Sequence, residues 1–190
     1  YEQFIGKARS GHRIRHAKKL TNIAYGFYSE LSSSSKYQVD INNAKLLNVS
    51  GGESAQKAKE ILLKLANDNK SNQQRMADIY TLLGASELML GNFSPALKYE
   101  QESLGLFRRL QKKDAIPVVE NYIGYIHRLR GDWNKAVKYY TKALNSILQI
   151  DEPVPTRMAS ILNNLGYALG LVGKYAQAES RCQKAMDIFD

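Results

Sequence analysis

The chain has 190 residues, enough for one extended domain with a continuous core, and 44% of them are hydrophobic. Its formal net charge is +9, which admits acidic partners and nucleic acid without choosing between them. The mean hydropathy of −0.42 and the lack of any apolar run of transmembrane length argue against a membrane protein. Cys182 is the single cysteine, which excludes an internal disulfide framework and fits a reducing, cytoplasmic (intracellular) setting. The sequence opens on Tyr1 with no secretory signal, so it reads as a piece of a longer chain.

Residues 1–36 read as a basic N-terminal helical segment, with seven Lys/Arg against two Asp/Glu. Ile14, Ala17, Leu20, Ile23, Ala24, Phe27, Tyr28 and Leu31 recur at helical spacing. Arg9, Arg13, Arg15, Lys18 and Lys19 decorate its first half and mark a contact for an acidic surface or nucleic acid. The plainer reading, which we favour, is the solvated face of a docking helix. His12 and His16 stand four apart, but nothing nearby completes a ligand set, so no metal site is expected. The Ser32–Ser35 run should break the helix or link two.

Residues 37–75 read as a degenerate helix pair and connector. Tyr37, Val39, Ile41, Ala44 and Leu47 would face inward on the first helix. Gly51 and Gly52 supply the turn, and Ala55, Ala58, Ile61, Leu62 and Leu65 line the second.

Residues 76–190 carry one pattern three times, over 76–115, 116–157 and 158–190. Each copy has a mid-helix Gly (Gly84, Gly124, Gly166) and a second Gly seven residues later (Gly91, Gly131, Gly173). Two further on is an aromatic (Phe93, Trp133, Tyr175), and three after that an Ala (Ala96, Ala136, Ala178). The first glycines lie 40 and 42 residues apart, a period that means a stacked helical array. The second Gly should end the first helix of each pair in a left-handed cap. The aromatic should pack back over the pair. A Gly inside a helix costs about 1 kcal/mol against Ala, so its repetition implies close helix crossing. The fold class expected is all-α, an α-solenoid of antiparallel helix pairs.

On these residues the sequence resembles the tetratricopeptide repeat family: Tyr80, Leu83, Gly84 and Ala96; Ile123, Gly124, Ala136 and Tyr140; Leu165, Gly166 and Ala178. It departs from that pattern where Glu120 and Leu162 replace a typical aromatic, and where Glu87, His127 and Leu169 replace a typical Tyr. Its period exceeds the usual ~34, as in regulatory proteins with long repeats of this type. The resemblance implies that the first helix of each pair lines a concave, peptide-binding groove. Carried over, the groove set is Thr81, Leu88, Asn121, Tyr125, Arg128, Ser160, Asn163 and Tyr167. Asn121 and Asn163 recur in register and would hold a peptide backbone through their amides. Tyr125 and Tyr167 would add rigid contact area, and Arg128 would take a carboxylate. Thr81, Ala85, Tyr122, Ser160 and Asn164 stand where the carboxylate clamp of chaperone-binding relatives needs Lys, Asn and Arg, so chaperone tails are not expected partners.

No catalytic motif is present and no cofactor is expected. His127 and Cys182 fall at packing positions. The implied function is a non-catalytic protein-interaction scaffold or sensor within a larger regulatory or signalling protein. Two other readings stand beside it: nucleic-acid binding through the basic N-terminal helix, and self-association through the last helix, which ends on Ile188 and Phe189 with no polar cap.

Overall fold

The computed structural model describes residues 9–188, with side chains from Ile14 onward apart from His16. The described chain is helical throughout: α1 (Arg9–Gly26), α2 (Ser33–Ser50), α3 (Glu53–Asp68), α4 (Gln73–Met89), α5 (Phe93–Arg109), α6 (Ile116–Leu129), α7 (Trp133–Ile147), α8 (Pro155–Leu171) and α9 (Tyr175–Met186), with a short 3-10 turn at Tyr28–Glu30. From α2 onward the helices pair as α2/α3, α4/α5, α6/α7 and α8/α9, and each pair packs on the next.

The starts of these helices follow from local chemistry. Ser32 caps α2 by accepting a hydrogen bond from the Ser35 amide, so the serine run begins a helix rather than breaking one. Asn72 caps α4 in the same way through the Arg75 amide, and the polar connector before it shortens accordingly. Pro117 lies in the first turn of α6 and Pro155 opens α8, where a missing N–H costs nothing.

The helix ends are written by glycine. Gly91, Gly131 and Gly173 take φ of 77°, 79° and 78°. Past each, an amide reaches back to close the turn: Asn92 to the Glu87 carbonyl at 2.8 Å, Asp132 to His127 at 2.9 Å, Lys174 to Leu169 at 2.9 Å. This left-handed cap satisfies carbonyls that would otherwise be orphaned.

The mid-helix glycines are places of close approach. A Cβ on Gly84 would come within 2.6 Å of the Glu100 carboxyl, one on Gly124 within 2.7 Å of the Tyr140 ring, and one on Gly166 within 2.5 Å of Cys182 Sγ. In each pair, the residue sixteen positions on lies across the glycine. That is the packing reason for keeping a helix-weakening residue three times.

Apolar burial joins the pairs. Ile41, Ala44, Leu62, Ile79 and Leu83 form one cluster, Leu104, Phe107, Val119 and Ile123 the next, and Tyr140, Ile147, Ile161 and Leu165 the last. Each buried Leu or Ile is worth about 1.5–3 kcal/mol, so every pair draws stability from its neighbour. Within the degenerate unit Ile41, Ala44, Ala55, Ala58, Leu62 and Leu65 are buried, while Tyr37, Leu47 and Ile61 are half-buried.

Two aromatics depart from the packing expected of them. Phe93 is half-buried against its cluster, but Trp133 is exposed and Tyr175 is 73% exposed. Each opens the second helix of its pair, at the outer edge of the turn. The N-terminal stripe is also less covered than its pattern suggests, since Leu20, Ile23 and Phe27 are more than half exposed. α1 meets α2 chiefly through polar groups. Tyr25 and Tyr28 both donate to Asp40, at 2.7 and 2.5 Å, and Asn43 donates to Tyr25.

Candidate functional site

The first helices of the three clear repeats lie side by side, and a pocket opens between them. Ala85, Leu88 and Met89 of α4, Asn121, Tyr122 and Tyr125 of α6, and Ser160 and Asn164 of α8 line it. One further residue comes from a second helix: Glu100 of α5, which reaches the pocket across Gly84. The pocket is small, about 50 Å³, and has room for the end of one side chain.

Six of the eight expected groove residues belong to this face. Leu88, Asn121, Tyr125 and Ser160 line the pocket. Arg128 lies one turn along α6 from Tyr125, and its guanidinium carbon sits 4.7 Å from the Tyr125 ring centre and 5.0 Å from that of Tyr167. The cation is thus stacked on two rings carried by neighbouring repeats, an arrangement worth roughly 0.5–2 kcal/mol. Its Nε–H is buried and has no hydrogen-bond partner. Tyr167 is otherwise exposed.

Thr81 and Asn163 are placed differently. Thr81 shares a hydrogen bond with Ser103 of α5 at 2.7 Å and bonds the Ala77 carbonyl, so its hydroxyl is used inside the α4/α5 pair. Asn163 is exposed and outside the pocket lining. Its neighbour Asn164 instead donates to Asn121 Oδ1 at 3.1 Å. Successive pairs are rotated about the array axis, so the residue facing across is one step on from the equivalent one.

Of the basic set on α1, Lys18 and Lys19 are exposed and Arg15 makes a contact of its own. The side chains of Arg9 and Arg13, like those of His12 and His16, lie outside the described residues, as does Phe189. Ile188 packs partly against the last cluster, with Met186 exposed beside it.

Two buried carboxyls lie on the consecutive helices α5 and α6. Glu120 accepts from Arg108 Nη2 at 2.8 Å and from the Ser146 hydroxyl at 2.7 Å. These bonds give a role to the carboxylate that stands where the tetratricopeptide pattern has an aromatic: it ties α5 and α7 to α6. Glu100 is 1% exposed and its Oε2 has no hydrogen-bond partner. Burial pushes its carboxyl well above the ordinary range, which favours the neutral form. Sequence reasoning missed it because only positions shared among copies were weighed. Its signal was a lone Glu in the apolar stripe of Ala96, Leu97, Ser103, Leu104 and Phe107, where the other copies have Tyr140 and Cys182.

The remaining departures from the repeat pattern also have structural roles. Glu87 accepts from Lys59 Nζ of α3 and from Asn92 Nδ2, both at 2.8 Å. At the equivalent place His127 Nδ1 lies 3.2 Å from Asp132 Oδ2, and its ring stacks on Tyr139. The hydrogen bond with His127, with Lys135 and Arg130 nearby, holds the Asp132 carboxyl below its usual value. Both pairs brace a turn from within. Among the described residues no group of three or more His, Cys, Asp or Glu is gathered as a metal would require, and no helix is long and apolar enough to cross a membrane.

Comparison with known proteins agrees with this geometry. Residues 116–190 match the family model of the tetratricopeptide repeat. In sequence the chain is similar to the Photosystem I assembly protein Ycf3 of Rippkaea orientalis (strain PCC 8801 / RF-1), at 29% identity over 131 residues, covering 69% of this chain and 68% of that protein. In structure it is similar to BtubC (BKLC) from P. vanneervenii, with a TM-score of 0.76 at 22% identity over 95% of this chain and 74% of that one. It is also similar to MamA, with a TM-score of 0.61 at 18% identity over 92% and 85%. At such identities the structural likenesses speak for the fold.

Proposed function

On the premise that the chain belongs to the tetratricopeptide repeat family, we propose that it is a non-catalytic scaffold that binds a peptide or helix of a partner protein on the face formed by α4, α6 and α8. The observation that carries this reading is the pocket shared by three successive repeats, with Arg128 stacked between Tyr125 and Tyr167 beside it. A surface built from rigid aromatics, an arginine with an unmade hydrogen bond and side-chain amides suits protein recognition. The likeness to an assembly protein supports a part in bringing proteins together, and a place within a larger regulatory protein fits the long repeat period.

The test is selection of random linear peptides on the immobilised chain. Peptides should be enriched, and the enriched peptides should lose binding to an Asn121→Ala/Tyr167→Ala variant of unchanged helicity. No enrichment, or enrichment indifferent to that variant, would overturn the reading.

A further inference from the structure

We propose that the Glu100 pocket is an anchor for a primary ammonium group, in practice a lysine side chain of the bound peptide. This rests on the peptide-binding reading above and names the chemistry of one contact within it.

The argument begins with an unmet need. Glu100 lies wholly inside the protein, yet Oε2 has no hydrogen-bond partner. A buried polar group left unpaired costs free energy, and native proteins leave few of them. The carboxyl is not there to satisfy the helix pair. Tyr140 and Cys182 fill the equivalent seats across Gly124 and Gly166 with less polar groups. The seat of Glu100 differs in one further respect, that it opens on the groove pocket.

The pocket's shape and chemistry select the guest. At about 50 Å³ it holds a compact head rather than an aromatic ring or a planar guanidinium. Leu88 and Met89 offer apolar wall for a methylene stem, as lysine stems commonly find. Ser160 and Asn164 add polar oxygens, and an ammonium has three donors to satisfy. The lining holds no cation, and its other titratable groups are the phenols of Tyr122 and Tyr125. Burial, the one cause of its raised value, favours the neutral carboxyl in the absence of a guest. An arriving ammonium supplies the charge that lets it ionise, and one proton leaves to solvent.

The experiment uses two probe peptides, Ac-Ala-Ala-Lys-Ala-Ala-amide and the same peptide with norleucine in place of lysine. They differ only in ammonium against methyl. Binding to the whole chain is followed by NMR, through the Met89 methyl, the Glu100 side-chain carboxyl carbon and the amides of Asn121, Tyr125 and Tyr167. The lysine peptide should bind about tenfold or more tightly, the scale of one charge-assisted contact. It alone should move the carboxyl carbon to the ionised position. Glu100→Gln should abolish the preference.

Equal affinities, or a preference that survives Glu100→Gln, would overturn the anchor. If the groove amides respond equally to both peptides, the groove reading stands and the lysine anchor falls. If neither peptide moves them, the anchor falls and the groove reading is left to the peptide selection. The comparison of the two peptides on the unaltered chain needs no variant to fold.

Discussion

Glu100 and Glu120 are buried to nearly the same degree, 1% and 2% exposed, on consecutive helices. Glu120 is enclosed by donors from α5 and α7 and works as a strut between pairs. Glu100 sits against bare glycine backbone on the groove side, with one oxygen unpaired. The difference teaches how to tell a carboxyl kept for the fold from one kept for a guest: burial is the same, and satisfaction is not. The contrast predicts opposite responses to mutation. Glu120→Ala should lower the unfolding free energy by about 2–3 kcal/mol, the worth of its charge-assisted bonds after allowance for the exposed Arg108. Glu100→Gln should cost no stability, and below the ordinary glutamate range, where the carboxyl is protonated folded and unfolded alike, it should lie within about 0.5 kcal/mol of the original protein. Urea denaturation of both variants decides it. Comparable losses would erase the distinction.

The glycine seats sharpen the comparison. Gly166→Ala should be the most costly of the three, about 1–3 kcal/mol, because the new Cβ meets the Ala178 carbonyl and the Cys182 amide as well as Sγ. Gly124→Ala should follow, since the buried Tyr140 ring has little room to give. Gly84→Ala should cost least, because the Glu100 side chain can swing toward the pocket and the helix gains up to about 1 kcal/mol of propensity. Melting temperatures should rank accordingly. If Gly84→Ala proved the worst, Glu100 would be locked in place rather than poised.

The pH dependence of stability sets Glu100 against another carboxyl, Asp132 at the α6/α7 turn. The folded-state value of Glu100 is raised, so the unfolded chain releases this proton first as pH rises. Its contribution is fully present below the ordinary glutamate range and is lost as pH climbs from there through the raised value. Glu100→Gln should remove that part of the slope, so that the variant gains on the parent toward neutral pH. Asp132 has the opposite sign: its value is lowered, so its contribution is lost as acid brings it below the usual aspartate range. Chemical denaturation across pH, with and without Glu100→Gln, measures both. An unchanged slope in the variant would mean that Glu100 is not held neutral.

Much of this architecture was legible because the repeat states it three times. Helix ends followed from Gly91, Gly131 and Gly173, whose positive φ is a requirement no partner can override. The mid-helix glycines announced close crossings, and all three are close. What escaped were features present once. Glu100 keeps the register but differs in residue type from Tyr140 and Cys182 at the equivalent places. The ties of α2 to α4, in which Asn48 donates to the Leu82 carbonyl and accepts from Ser86, depend on packing between units that no period reveals. The apolar stripe announced a helix but not its cover, because the docking is made by the hydroxyls of Tyr25 and Tyr28 on Asp40 while Leu20, Ile23 and Phe27 stay more than half exposed.

The smallest expected effect concerns which asparagine belongs to the groove. Equivalence of position favours Asn163, and the hydrogen bond to Asn121 favours Asn164. Asn163→Ala removes an exposed side chain and should leave stability within about 0.5 kcal/mol, with peptide binding unchanged. Asn164→Ala leaves the half-buried Asn121 amide unpaired beside the pocket and should cost about 0.5–1.5 kcal/mol. It should also weaken any selected peptide, because Asn121 then loses the bond that orients it toward the guest. Thermal melts and peptide affinities of the two single variants distinguish the positions. Loss of binding with Asn163→Ala alone would mean that the peptide tracks the repeated register, running past the Glu100 pocket rather than into it.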